Sequence, residues 1–184
     1  SITTGVQTTL VGGLAGDSLT QGARNTVLGY AALTDDTLGQ YAVAIGYAAL
    51  ANQDFTTATN NYNVGVGYNA GAAVTTGVQN TLIGAEAGDA LTDADFNTAI
   101  GYLALSTDVL GSKSTALGYA ALKDQNFTTA TDSYNVAVGH LAGENVTTGV
   151  QNVIVGGLAG DALTTGSQNV ALGYQSLSTD DLGS

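Results

Sequence analysis

Asn25-Thr26-Val27-Leu28-Gly29-Tyr30-Ala31-Ala32-Leu33 returns as Asn80-Thr81-Leu82-Ile83-Gly84-Ala85-Glu86-Ala87-Gly88 and in eight further variants, each centred on a glycine. The ten glycines are Gly12, Gly29, Gly46, Gly67, Gly84, Gly101, Gly118, Gly139, Gly156 and Gly173. The step from one to the next is seventeen, except from Gly46 to Gly67 and from Gly118 to Gly139, where it is twenty-one. Three residues before the glycine stands Thr or Val in every block, one before it Val, Leu or Ile, and three after it Ala, or Ser176 in the last block. Self-similarity at a fixed short period means that one unit cannot bury its own apolar face. The units stack on one another, and the chain grows as a rod.

A slower period overlies the fast one. Thr3-Thr4-Gly5-Val6-Gln7 recurs as Thr75-Thr76-Gly77-Val78-Gln79 and again as Thr147-Thr148-Gly149-Val150-Gln151. Four blocks make one cassette, and the chain is a single array of cassettes 1–72, 73–144 and an incomplete 145–184. The fourth residue after the glycine divides the blocks into two types, Gly at 16, 71, 88, 143 and 160 and Leu at 33, 50, 105, 122 and 177. In the Gly type the next apolar residue follows the central glycine by seven (Leu19, Val74, Leu91, Val146, Leu163), in the Leu type by nine (Leu38, Phe55, Leu110, Phe127, Leu182). Two corner geometries are therefore expected.

Residues around each glycine are β-branched or small, which favours a pleated strand over a helix. The connections contain no Pro and are rich in Gly, Asn, Asp, Thr and Ser, so they read as tight turns rather than crossover helices. The expected fold is all-β: a parallel β-solenoid of ten rungs of 17 or 21 residues. At a rise of about 4.8 Å per rung the rod spans roughly 48 Å.

Strand alternation places residues one and three before the glycine on one face and the residue two before it on the other. The first face holds Val11, Leu28, Ile45, Val66 and Ile83; the second holds Leu10, Val27, Leu82 and Ile154, alternating with Ala44, Gly65, Ala99, Ala116, Ala137 and Ala171. A strand apolar on both sides calls for cover on both sides. The expectation is a second layer over the Leu82 and Ile154 flank supplied by sister chains around a threefold axis. The alternative is a rung that folds back on itself, its Leu33-type and Leu38-type residues supplying the cover.

Fifteen acidic residues against Arg24, Lys113 and Lys123 give a net charge of −12. That excess repels nucleic-acid phosphates and anionic lipid. The absence of Cys removes disulfides and thiolate metal sites. No apolar run approaches a membrane span and no signal segment opens the chain. A chain that starts in the lead-in to one block and stops in the connection after another reads as a segment of a longer fibrous protein.

Asn97-Thr98-Ala99-Ile100-Gly101-Tyr102-Leu103-Ala104-Leu105 and Asn169-Val170-Ala171-Leu172-Gly173-Tyr174 resemble the repeats of trimeric autotransporter adhesin heads and of bacteriophage tail fibres. The resemblance covers all ten blocks, and tail-fibre repeats of this kind are the closer match. It implies a left-handed parallel β-roll that trimerises into a stiff stalk or head. The rungs here are longer than the adhesin repeat.

Asn stands four residues before the glycine in seven blocks: Asn25, Asn63, Asn80, Asn97, Asn135, Asn152 and Asn169. Stacked at one height these form an amide ladder between rungs, a structural role. Tyr follows the glycine at 30, 47, 68, 102, 119 and 174, a stripe able to stack on sugar rings but interrupted at Gly13, Ala85, His140 and Gly157. Its breaks favour packing. His140 fills a Tyr slot and has neither a Cys nor a second His with which to bind zinc.

The acid pairs Asp35 and Asp36, Asp93 and Asp95, and Asp180 and Asp181 meet the minimum for glycoside hydrolysis, yet they recur with the scaffold and read as solvated turn charges. No enzyme activity is expected. Asp89, Asp93 and Asp95 are the one candidate set of hard oxygen ligands, for a weak calcium site. The glycines of Gly65-Val66-Gly67-Tyr68-Asn69-Ala70-Gly71 lack dinucleotide spacing, and Asn126 and Asn145 are formal glycosylation acceptors of a kind that arises by chance in an Asn- and Thr-rich chain. No cofactor is expected.

The functional expectation is a structural one: a shaft or head segment of an extracellular homotrimeric fibre, a phage tail fibre or bacterial surface adhesin, that supports attachment. Its partner is itself, with a cell-surface glycan engaged through other parts of the fibre. The rival is a ligand-binding solenoid, binding glycan through the Tyr stripe or ice through Thr rows. The runs Phe55-Thr56-Thr57-Ala58-Thr59 and Phe127-Thr128-Thr129-Ala130-Thr131 return only once per cassette and make no continuous Thr array.

Overall fold

The computed structural model describes residues 5–179; Thr3, Thr4, Asp180, Asp181 and Leu182 lie outside them. The described residues form fourteen short strands and no helix. In chain order these are β1 (Thr9–Val11), β2 (Thr26–Leu28), β3 (Gly39–Gln40), β4 (Val43–Ile45), β5 (Thr59–Asn60), β6 (Val64–Val66), β7 (Thr81–Ile83), β8 (Thr98–Ile100), β9 (Gly111–Ser112), β10 (Thr115–Leu117), β11 (Thr131–Asp132), β12 (Val136–Val138), β13 (Val153–Val155) and β14 (Val170–Leu172). One three-residue strand from each block joins a ten-stranded parallel sheet in the order β1-β2-β4-β6-β7-β8-β10-β12-β13-β14. The register follows the glycine frame, with Thr98 opposite Thr115 and Ile100 opposite Leu117. The chain is a β-solenoid of ten stacked coils.

Hydrogen bonding continues round the corners. Gly29 donates its N–H to Val11 O, Ala31 to Gly13 O and Leu33 to Ala49 O, each at 2.9 or 3.0 Å. Besides the central glycine, three positions per coil carry positive φ, often without glycine: five residues before the central glycine, two after it and four after it, as in Tyr41 (φ 64°), Ala48 (φ 51°) and Leu50 (φ 50°). A left-handed L-residue costs about 1–2 kcal/mol. The interrung hydrogen bonds, repeated at every coil, offset that cost.

Gly101 shows why the frame residue is glycine. Its φ is 140°, and a Cβ built there would stand 2.2 Å from the carbonyl oxygen of Gly118 in the next coil. Adjacent coils touch backbone to backbone at this point.

The rung folds back on itself, and this corrects the expected layering. Val27, Leu82 and Ile154 are fully buried inside the single chain, together with Leu33, Leu50, Leu105 and Leu122 from the far side of the same coils. Leu19, Val74, Leu91, Val146 and Leu163 close the interior in the Gly-type coils, each in a tight turn such as Leu91 N–H to Gly88 O at 3.2 Å. Sister chains are not needed to cover this flank. Of the Leu38-type residues, Phe55 and Phe127 are buried, whereas Leu38 and Leu110 are half-buried.

Volume is balanced across the interior. Leu82 faces Gly88, and a Cβ on that glycine would lie 2.7 Å from Leu82 Cδ2; Ala99 accompanies Leu105 and Ala116 accompanies Leu122. Where both positions are small, at Gly65 and Gly71, the neighbouring coils fill the space: Leu50 and Leu82 crowd Gly71 from below and above. Each fully buried Leu or Ile contributes about 1.5–3 kcal/mol.

Candidate functional site

Closing the coil inward turns the other strand face outward. Val11, Leu28, Ile83, Leu117, Val153, Val170 and Leu172 are all exposed, Leu28 by 47% and Leu172 by 74%. Thr9, Thr26, Thr81, Thr98 and Thr115 lie on the same face. Of the fifteen acidic residues only Glu86 falls within a nine-residue block; the others occupy the connections. The solenoid therefore has one uncharged sheet face and an acidic remainder. The largest apolar patch of a monomer is typically about 300–600 Å² and is often functional. Six of the ten strands of the sheet carry an exposed aliphatic on this face.

The Tyr column flanks this face in two stacks. Tyr30, Tyr47 and Tyr68 are stacked at 5.6 and 5.4 Å between ring centroids, and His140 stacks on Tyr119 at 4.9 Å with Tyr102 on the other side at 5.8 Å. At Gly13 a Cβ would lie 3.3 Å from the Tyr30 ring, so backbone of the preceding coil sits against that ring. Rings packed on their neighbours turn their edges, not their faces, to solvent. This argues against the column as a row of sugar-stacking platforms.

A second column stands five residues before each glycine. Gln7 Oε1 accepts from Arg24 Nε at 3.1 Å, the Arg24 guanidinium lies 5.2 Å from the Tyr41 ring centre, and Tyr41 stacks on Tyr62 at 5.2 Å. Farther along, Lys113 Nζ lies 5.2 Å from the Tyr134 ring centre and pairs with Asp132.

The Asn residues run up the interior. Asn63 Oδ1 accepts Asn80 N–H at 2.9 Å, Asn80 Oδ1 accepts Asn97 N–H at 2.9 Å and Asn97 Oδ1 accepts Ser114 N–H at 2.8 Å. The Nδ2 groups donate to turn carbonyls of the next coil, Asn80 to Ala94 O at 2.7 Å and Asn97 to Gly111 O at 2.8 Å. Asn25, Asn135, Asn152 and Asn169 are buried in the same column. The side chains clamp backbone, and bonds from one column amide to another run from Asn152 to Asn135 and from Asn169 to Asn152.

Ala42 and Ser114 take the place of Asn in the blocks that lead into the two longer coils, and there a second polar device enters. Asp36 is fully buried: its Oδ1 accepts Gly39 N–H at 3.0 Å and Phe55 N–H at 3.1 Å, and its Oδ2 accepts Gln53 Nε2 at 2.7 Å. Gln53 Oε1 accepts in turn from Asn63 Nδ2 at 2.8 Å. Asp108, Gln125 and Asn135 repeat the arrangement one cassette on. Burial pushes both carboxyls above the usual range, while the donors on each pull the other way. Asp36 is thus not a solvated turn charge. Asp35 is exposed beside it.

The calcium set does not assemble. Among the described residues no group of three or more His, Asp or Glu side chains is placed to hold a metal ion. Asp93 accepts from Thr76 Oγ1 and Asp95 from Val78 N–H, while Asp89 is half-buried with Oδ1 unpartnered and its carboxyl pushed up to about 6 by burial. The surface of the described residues has no cavity or cleft, and no helix there is long and apolar enough to cross a membrane. No protein-family model, curated protein or solved structure matches the chain.

Proposed function

We propose that this chain is a structural segment, shaft or head, of an extracellular homotrimeric fibre of the phage tail-fibre or bacterial adhesin kind. Its work is stiffness and reach, with the partner a second and third copy of itself. The carrying observation is the uncharged sheet face: Leu28, Ile83, Leu117 and Val153 are exposed on one side of a molecule whose net charge is −12. Copies that meet through this face bury its aliphatics and keep the acidic connections in water, apart from one another. The contact between chains then runs through the outward Val, Leu and Ile residues in place of the Leu82 and Ile154 flank. The repeat's resemblance to trimeric fibres supports the same reading, as do the backbone-clamped coils, which suit a rigid element. No catalytic role, nucleic-acid binding or membrane insertion forms part of the proposal.

The chain has no Cys, so a single introduced thiol reports its own surroundings. Ile100→Cys on the sheet face is expected to form interchain disulfides or bis-maleimide cross-links at micromolar concentration, whereas Asp17→Cys in a connection is not. Equal and negligible cross-linking at both positions would refute association through this face.

A further inference from the structure

This chain has neither Cys nor Met, the side chains that ordinarily take up oxidising equivalents, and no Trp, but it has nine Tyr. A one-electron oxidant is left with the phenols, and the coil period decides how these lie. Tyr30, Tyr47 and Tyr68 fill one column and Tyr41 and Tyr62 another, in each case on successive coils. Backbone bonds hold the first column in register: Ala48 donates its N–H to Tyr30 O at 3.0 Å, and Asn69 donates to Tyr47 O at 2.9 Å.

Register brings the rings face to face. Centroids lie 5.6 Å apart for Tyr30 and Tyr47, 5.4 Å for Tyr47 and Tyr68 and 5.2 Å for Tyr41 and Tyr62, with interplanar angles of 17°, 16° and 27°. Tyr30, Tyr47, Tyr62 and Tyr68 are half-exposed, so an oxidant reaches every stack. Tyr102 and Tyr119 are tilted by 44° at 5.8 Å and do not meet in this way. Among the described residues Tyr134 and Tyr174 stand beside no tyrosine, since Lys113 and Gln151 flank Tyr134 in its column and Gly157 precedes Tyr174.

We infer that the three stacked pairs, Tyr30 with Tyr47, Tyr47 with Tyr68 and Tyr41 with Tyr62, are oxidative modification sites at which a dityrosine bond staples adjacent coils. Each phenol gives one electron and its hydroxyl proton to the oxidant. The two phenoxyl radicals join through their Cε carbons, and each ring then returns its Cε hydrogen to oxygen. Two electrons and two protons leave in all, and one hydrogen peroxide takes them up to become two waters. The rings already rest together, and rotamer motion of exposed side chains brings the Cε carbons within reach of one another. The bond ties residues 17 or 21 apart in sequence. By restricting the unfolded chain it does for a Cys-free solenoid what a disulfide does elsewhere. The pairs lie within one chain, so the inference holds whether or not copies associate.

The test is oxidation of the whole chain by hydrogen peroxide with a haem peroxidase, in buffer and in urea, read by denaturing electrophoresis and peptide mass spectrometry. In buffer a product of single-chain size, lighter by two hydrogens per bond, is expected. It should contain peptides joining Tyr41 to Tyr62 and Tyr47 to Tyr30 or Tyr68, with Tyr134 and Tyr174 absent from intrachain bonds. Tyr41→Phe/Tyr47→Phe, which keeps both rings and therefore the packing, should lose these products, and Tyr134→Phe should keep them. In urea, where register is lost, the pairing should scramble. The stapled chain should melt roughly 5 °C or more above the untreated one. Bonds formed only between chains, the same pairing in urea as in buffer, or an unchanged melting temperature would overturn the inference.

Discussion

Gln53 Nε2 donates to Asp36 Oδ2 at 2.7 Å, and the direction of that bond is dictated from outside the pair. Asn63 cannot turn its amide round, because Oδ1 accepts Asn80 N–H and Nδ2 donates to Gly77 O. Its remaining Nδ2 hydrogen points Gln53 Oε1 towards itself, which leaves Gln53 Nε2 facing Asp36. The carboxylate is therefore required as an acceptor.

Asp36→Asn should then cost about 1–3 kcal/mol, since two N–H donors must face each other somewhere along the relay. Gln53→Glu alone should be at least as damaging, by setting two carboxylates together in the interior. The double variant Asp36→Asn/Gln53→Glu moves the carboxylate one step along the relay, where it accepts from an amide on either side, and should recover most of the loss. Urea unfolding of the four proteins measures this as a double-mutant cycle. Additive losses would contradict the directional relay.

Position in the stack decides what a frame glycine is worth. Gly101→Ala meets both a φ of 140° and the Gly118 carbonyl, and should lose about 4 kcal/mol or more. Gly173→Ala in the same chain has φ 119° and nothing within 4 Å, so it carries only backbone strain of about 1–3 kcal/mol. Thermal unfolding followed by circular dichroism ranks the two. Equal losses would mean that close approach of the coils contributes nothing.

Acid should stabilise the solenoid. Asp89 has its carboxyl raised from 3.8 to about 6 by burial, so the folded form holds its proton more tightly than the unfolded chain does. That contribution is complete below about pH 4 and is lost as pH rises through about 6. Asp36 and Asp108 are shifted in the same direction. The melting temperature is expected to fall from about pH 4 to about pH 7, and Asp89→Asn to flatten part of that fall by raising stability at neutral pH. A wild-type melting temperature that rises over this range would contradict the sign.

How much of this was legible in the sequence depends on whether a residue type carried the information. The frame glycines did, because only glycine tolerates the approach seen at Gly101, and so the coils, their number and their register could be read in advance. Which strand face points inward could not be read from one strand, since Val27 and Leu28 are both apolar. The pairing of Leu82 with Gly88 and of Ala99 with Leu105 was present in the sequence, but it becomes a packing rule only when the coil closes. Leu33 and Leu50 hide their positive φ in their own residue type, and only the glycines at the same position in other blocks, Gly16, Gly71 and Gly88, signal it. Asp36 looked like half of an acidic turn; its recurrence with Gln53 and Asn63 as Asp108, Gln125 and Asn135, always at a longer coil, was the signal of a buried unit.

The central proposal is that copies of this rod meet through the uncharged sheet face. Light scattering coupled to size-exclusion chromatography weighs the particle directly. A mass near three times the 18.3 kDa chain, reduced towards one chain by Ile100→Lys/Leu117→Lys with the circular dichroism spectrum unchanged, is the predicted result. A particle of 18.3 kDa at every concentration up to about 100 µM, indifferent to those substitutions, would contradict it.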